Sequence, residues 1–195
     1  MSPDESQQNL LRSITRRIAT LLHRTVGTQA KSALQTSDSI RSRHGSVSAY
    51  RIGDRTVIRG SVLTSAGLTV NIGEPVLTDT TDLTEFGRSI NALMSEPAKI
   101  IPHPKNQAEW QLLVDEHKKI HRHLRVRSEV QLLRQASLVN VYRTEVEVSV
   151  LPMRKNPNHK SWIGVVERTA CCPITDEDIG RTVDRLLSEG MLPVG

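Results

Sequence analysis

At 195 residues the chain is long enough to bury a true core in one large or two small domains. A hydrophobic content of 37% and a charged content of 24% exclude a disordered chain. An aromatic content of 3% argues against a binder of single-stranded nucleic acid, which needs stacking platforms. The net charge of +5 permits an acidic partner without demanding one, because the charges are scattered. No apolar run approaches the roughly 20 residues that span a bilayer, so no membrane partner is expected. Ser2-Pro3-Asp4-Glu5-Ser6 lacks the basic start of a secretory signal. Residues 6–37 contain Arg and Ser but no acid, as transit peptides do, yet Asp4 and Glu5 suit the start of a surface helix better. The only cysteines, Cys171 and Cys172, are adjacent and make neither a disulfide framework nor a zinc spacing. They are expected reduced, in a cytoplasmic protein.

Leu10, Leu11, Ile14, Ile18, Leu21 and Leu22 predict an amphipathic helix within 7–26, and the Ser/Thr/Gly-rich residues 27–45 a flexible linker. Val47–Ile52 and Thr56–Leu63 flank Gly53-Asp54 and predict a hairpin, with a further strand at Leu68–Ile72. A helix follows at 82–96, stopped by Pro97. Ile100-Ile101-Pro102-His103-Pro104 reads as an extended connector, since each proline biases its predecessor away from the helical region. The spacing then predicts a helix over 107–124, strands at 136–142, 145–151 and 161–170, and a last helix at 175–189.

The two helices at 82–96 and 175–189 are versions of one another. Phe86-Gly87-Arg88-Ser89-Ile90-Asn91 answers Ile179-Gly180-Arg181-Thr182-Val183-Asp184, and both helices continue to a Ser-Glu ending. Gly87 and Gly180 are expected to let each helix approach a sheet closely. Ala49-Tyr50-Arg51 is likewise matched by Val141-Tyr142-Arg143, and Ser61-Val62-Leu63 by Ser149-Val150-Leu151. Repeats are read before folds. The expected fold is therefore α+β, with two similar halves, each a three-stranded antiparallel meander with helices packed on one face. Residues 1–45 form the N-terminal helix and linker, 46–97 the first half, 98–106 the connector and 107–195 the second half, in one compact unit. From the Ser-Val-Leu marker to the glycine the spacing grows from 26 to 31 residues, which places an insertion in or near the loop 153–160.

The search for chemistry is negative. His117 and His121 stand at i and i+4, which can hold a metal, but the His-Glu-x-x-His pattern is absent. Lys118, Lys119, Arg122 and Arg125 surround them, so the stretch reads as a solvated basic helix. Glu145 and Glu147 on one strand face, with Lys155 beyond, could serve a metal-dependent nuclease, yet an exposed strand explains them equally. No nucleophile elbow, phosphate-cradling loop or Cys-His pair occurs. No catalytic residue, metal or cofactor is expected, and the chain is not read as an enzyme.

Four stretches taken together resemble the immunity proteins of bacterial contact-dependent growth inhibition systems. They are Ala49-Tyr50-Arg51-x-Gly53-Asp54, the helix Asp82-x-x-x-Phe86-Gly87-Arg88-x-Ile90-x-x-Leu93-x-Ser95, Ile101-Pro102-His103-Pro104, and Glu177-x-x-Gly180. The resemblance spans about residues 46–190. It implies a cytoplasmic protein that binds the C-terminal toxin domain of a delivered protein and neutralises it in the producing cell. It implies a protein partner, with neither a small-molecule substrate nor nucleic acid. The basic charge departs from immunity proteins directed at nucleases, which are commonly acidic. Two alternatives stay open: a basic nucleic-acid-binding module, for the run 118–127, and a small metal-dependent nuclease or toxin domain. Binding residues are expected where the halves differ, in the second half's longer loop: Arg154, Lys155, Asn156, His159 and the adjacent Trp162.

Overall fold

The computed structural model describes residues 45–96, 99–156 and 161–190. The expected N-terminal helix, its linker and His159 lie outside them. The described chain is mixed α+β, with one continuous nine-stranded sheet, antiparallel except at one short pairing.

The sheet starts from a hairpin. Strand β1 (Ser46–Ile52) turns through Gly53 into β2 (Arg55–Thr64). Gly53 sits at φ +58°, a left-handed value that glycine adopts without a Cβ penalty. The long β2 then carries three short partners. β3 (Thr69–Asn71) pairs with its far end, β4 (Val76–Thr78) with its start, and β5 (Ile100–Ile101) runs parallel to Leu63 and Thr64. The Ile-Ile-Pro connector is thus an edge strand, and Pro102 falls just beyond it, where no ladder N–H is needed.

On the other side β1 pairs with β6 (Ser137–Arg143), which forms a hairpin with β7 (Val148–Lys155). β8 (Trp162–Gly164) and β9 (Ala170–Cys172) both pair with β7. The single strand expected at 161–170 is therefore two, separated by a 3-10 turn at Val166–Arg168. The expectation of a separate meander in each half is corrected in the same way. Each hairpin's second strand serves two short antiparallel strands, β2 carries the parallel β5 besides, and β1 beside β6 merges everything into one sheet.

The pairing of the first hairpin recurs in the second. Ser46 pairs with Ser61 as Leu138 pairs with Met153, and Thr56 with Thr78 as Val148 with Cys172. From Ser46 to Leu138 and from Leu63 to Lys155 the displacement is the same, 92 positions. In this register Ser61 answers Met153, so the Ser-Val-Leu match does not hold. With it goes the long insertion. Leu63 pairs with Thr69, six positions on, and Lys155 with Trp162, seven positions on, which leaves one extra residue.

Among the described residues four α-helices cover the sheet. α1 (Leu83–Ser95) and α4 (Asp176–Glu189) begin at Asp82 and Thr175, whose side chains accept from Glu85 N and Asp178 N. Phe86, Ile90, Met94, Ile179, Val183 and Leu187 pack with Val47, Ala49, Ile58, Val139 and Val141 in one core. The two helices meet at their glycines. A Cβ on Gly87 would overlap the Asp176 carbonyl, and one on Gly180 the Leu83 carbonyl. The close approach expected between helix and sheet is in fact helix against helix.

α2 (Gln107–His123) and α3 (Glu129–Gln135) cover the opposite face. There Tyr50, Val57 and Leu138 pack with Ile120, Leu124 and Leu132 in a second core. β1 accordingly buries both its faces, Val47 and Ala49 on one and Tyr50 on the other.

Gly87→Ala and Gly180→Ala are each expected to destabilise the fold by about 3 kcal/mol, the upper range for overpacking, because a backbone carbonyl cannot rotate aside. Leu186→Ala, from a buried position, should cost about 2–5 kcal/mol, and Leu93→Ala less, since Leu93 is half-buried. Chemical denaturation measures all four; a glycine variant as stable as wild type would mean the helices can separate freely.

Candidate functional site

Arg154 and Lys155 end β7, both exposed, and Lys155 Nζ donates to Arg134 O at the end of α3. Asn156 N donates to Ser161 O at 2.9 Å, closing the loop at its base. Trp162 opens β8 opposite Lys155 and lies half-buried against the second core beside Met153 and Ile52. Arg154, Lys155, Asn156 and Trp162 thus share one end of the sheet. The indole is a packed wall of that end rather than a free anchor.

The nuclease constellation is not assembled. Glu145 and Glu147 lie in the turn before β7, not within a strand. Lys155 stands at the strand's other end, about 25 Å away at the usual rise per residue.

The histidines, in contrast, acquire a partner. α2 ends through Arg125, at φ +55°, with Val126 N bonded to His121 O and Arg125 N to Arg122 O. This Schellman closure turns the chain sharply, and Ser128 then caps α3 by accepting from Gln131 N. The short connection brings Glu129, in the first turn of α3, back to α2. Its Oε2 lies 3.0 Å from Nε2 of both His117 and His121. Burial pushes the Glu129 carboxyl up, but the hydrogen bonds and charges of the two imidazoles outweigh it and hold the group at about 2. The sequence reading missed α3 and with it Glu129. The signal was present in Ser128-x-x-Gln131, a capping-box spacing. The basic field invoked against a metal is also locally offset, since Lys118 pairs with Asp115, and Lys119 with Glu74 and Glu116.

Beneath α2 the sheet carries a buried polar chain. Ser48 Oγ lies 2.9 Å from Ser61 Oγ and donates to Asn140 Oδ1; Ser61 Oγ donates to Asn71 Oδ1, and Asn71 Nδ2 donates to Tyr50 Oη. Burial raises the Tyr50 phenol well above its ordinary range, so it stays a neutral hydroxyl. Arg59 is fully buried beside this chain, donating to Ile72 O at 3.2 Å, Glu116 O at 2.6 Å and Glu116 Oε2 at 2.5 Å. The serine, asparagine and tyrosine bonds tie neighbouring strands together, and the two Arg59 bonds to Glu116 hold α2 on the sheet.

No family model and no curated protein matches the chain. Among solved structures it is similar to a protein of unknown function from Neisseria meningitidis, with a TM-score of 0.61 and 11% identity over 76% of this chain and 97% of that one. It is also similar to a chain of the CdiA-CT/CdiI toxin and immunity complex from Yersinia pseudotuberculosis, with a TM-score of 0.58 and 11% identity over 76% of this chain and 98% of that one. At that identity the likeness is one of fold. No helix among the described residues is long and apolar enough to cross a membrane.

Arg59→Ala is expected to cost about 2–4 kcal/mol, because it strands two backbone carbonyls and a partly buried carboxylate. Arg154→Ala, on the surface, should stay within about 0.5 kcal/mol. Urea denaturation of both variants checks the contrast; equal losses would contradict the assignment of Arg59 as the strut beneath α2.

Proposed function

We propose that this chain is an immunity protein. It binds the C-terminal toxin domain of a contact-dependent growth inhibition system and neutralises it in the cytoplasm of the cell that produces the toxin. The observation that carries the reading is the likeness, over nearly the whole of that chain, to a member of a toxin and immunity complex. The ordered motifs from Ala49 to Gly180 point the same way. On this reading the protein acts by occupying a partner's surface and turns nothing over. The polar groups described above serve that end, since they tie the strands together and Arg59 holds α2 on the sheet, which keeps the surface rigid.

Two similar halves belong to the same proposal. The constant displacement between the hairpins, the matched helices and the paired glycines all support descent from one duplicated unit. The toxin-facing surface is assigned to the β7–β8 end, with Arg154, Lys155, Asn156, His159 and Trp162. Arg154 and Lys155 supply exposed charge, and Trp162 a rigid apolar edge between them and the core.

The test is calorimetric titration of the toxin domain encoded beside this gene, with wild type, Arg154→Ala and Trp162→Ala. Tight binding by wild type is expected, with a loss of about thirtyfold for Trp162→Ala, as for an interface hot spot. Normal binding by both variants would move the surface elsewhere. A toxin domain that does not bind wild type, together with steeply salt-dependent binding of DNA or RNA, would replace the immunity reading with a nucleic-acid one.

A further inference from the structure

We propose that His117, His121 and Glu129 form a binding site for a zinc-like divalent transition metal, which clamps α3 onto α2. The donor atoms already converge. Both imidazole Nε2 atoms address the same carboxylate oxygen at 3.0 Å, and the three ligand atoms lie within 4.8 Å of one another. Donors bound to tetrahedral zinc at about 2.0–2.1 Å sit about 3.3 Å apart, so a metal needs a small outward shift of the carboxylate and a rotation of the imidazoles that draws their nitrogens together from a separation of up to 4.8 Å.

Two imidazoles and one carboxylate are a borderline-soft set suited to zinc, copper or nickel, and poor for magnesium or calcium. Two features of the scaffold favour it. His117 and His121 share one face of α2, one turn apart, and their rings meet edge to face with centroids 5.6 Å apart. Tyr50, packed in the second core, lies edge-on to His117 with ring centroids 6.5 Å apart, so the imidazole is backed by a rigid wall. All three ligands are half-buried, which lets solvent fill a fourth position.

Two of the four cations around the site, Lys118 and Lys119, are each engaged by a carboxylate, which lowers the positive field there. The site is also incomplete without the turn at Arg125–Ser128. A metal bound there would therefore favour the folded α2–α3 junction over any state in which the junction opens.

The experiment uses the full chain with Cys171→Ser and Cys172→Ser, so that no thiol competes. Cobalt(II) is added first, and its visible d–d absorption reports the coordination geometry; zinc(II) is then titrated to displace it, while a thermal melt is recorded in parallel. One equivalent of cobalt with a tetrahedral or five-coordinate band, displaced by one equivalent of zinc, and a rise in melting temperature with zinc are expected. Glu129→Gln keeps the shape and its hydrogen bonding to the histidines but removes the anionic ligand. It should weaken zinc binding by about 100-fold, at least what the loss of an outer-shell partner costs. His121→Ala should abolish the cobalt band. An octahedral aquo spectrum in wild type, or a zinc-induced rise in melting temperature that persists in both variants, overturns the site and leaves a hydrogen-bonded clasp.

Discussion

The structure depends on the contact between Gly87 and Gly180. Neither position has room for a single extra carbon, because each faces a backbone carbonyl of the opposite helix. Helices that touch through their backbones leave little space for side chains between them. The apolar stripes of both therefore point down onto the sheet, and Phe86, Ile90, Ile179 and Val183 fill the first core. A larger residue at either glycine would lift both helices and unpack that core. The constraint is mutual, which is why it appears at the same position of both helices.

Charge is arranged across the same junction. Arg51 of β1 reaches Asp184 of α4 at 2.7 Å, and Arg143 of β6 reaches Asn91 of α1 at 2.9 Å. Each arginine follows a tyrosine in its strand and engages the helix that comes from the other half of the sequence. Asn91 in turn donates to Asp176, at the start of α4. The arginines bury their stems against the core and direct their heads to the helix edge. Arg51 is almost wholly buried, so its pair with Asp184 is screened far less than the exposed pairs Arg88–Glu85 and Arg181–Glu177 on the outer helix faces.

The opposite face of the sheet is organised differently. There the interior is part polar, with two serines, Asn71 and Tyr50 linked in sequence and Arg59 buried beside them, bonded to Glu116 of α2. Such a network is stable only when its members are satisfied, and here α2 supplies the last acceptors through Glu116. The helix that carries His117 and His121 is thus positioned by Arg59 from below and by Glu129 from the side.

Much of the framework was legible in the sequence because its causes are local. The caps Asp82 and Thr175, the Gly53 turn and the 3.6-residue stripes depend on neighbours a few positions away, and the helices α1, α2 and α4 and the two hairpins stand within a few residues of expectation. The matching helices were legible too, as was the existence of a Tyr-Arg pair in each half. Tertiary structure decided what those features are for. Register depends on which strand lies alongside, and it sets Ser61 of the first hairpin level with Met153 of the second rather than with Ser149, which removed the supposed insertion beside Arg154 and Trp162. The glycines' partner was a helix from a remote part of the chain, which no local pattern specifies. Glu129 is twelve residues from His117 along the chain, and only the left-handed turn at Arg125 closes that gap. A sequence states which side chains are available; convergence on one point is a property of the folded chain, because it needs the long-range packing that sets where each helix begins and stops.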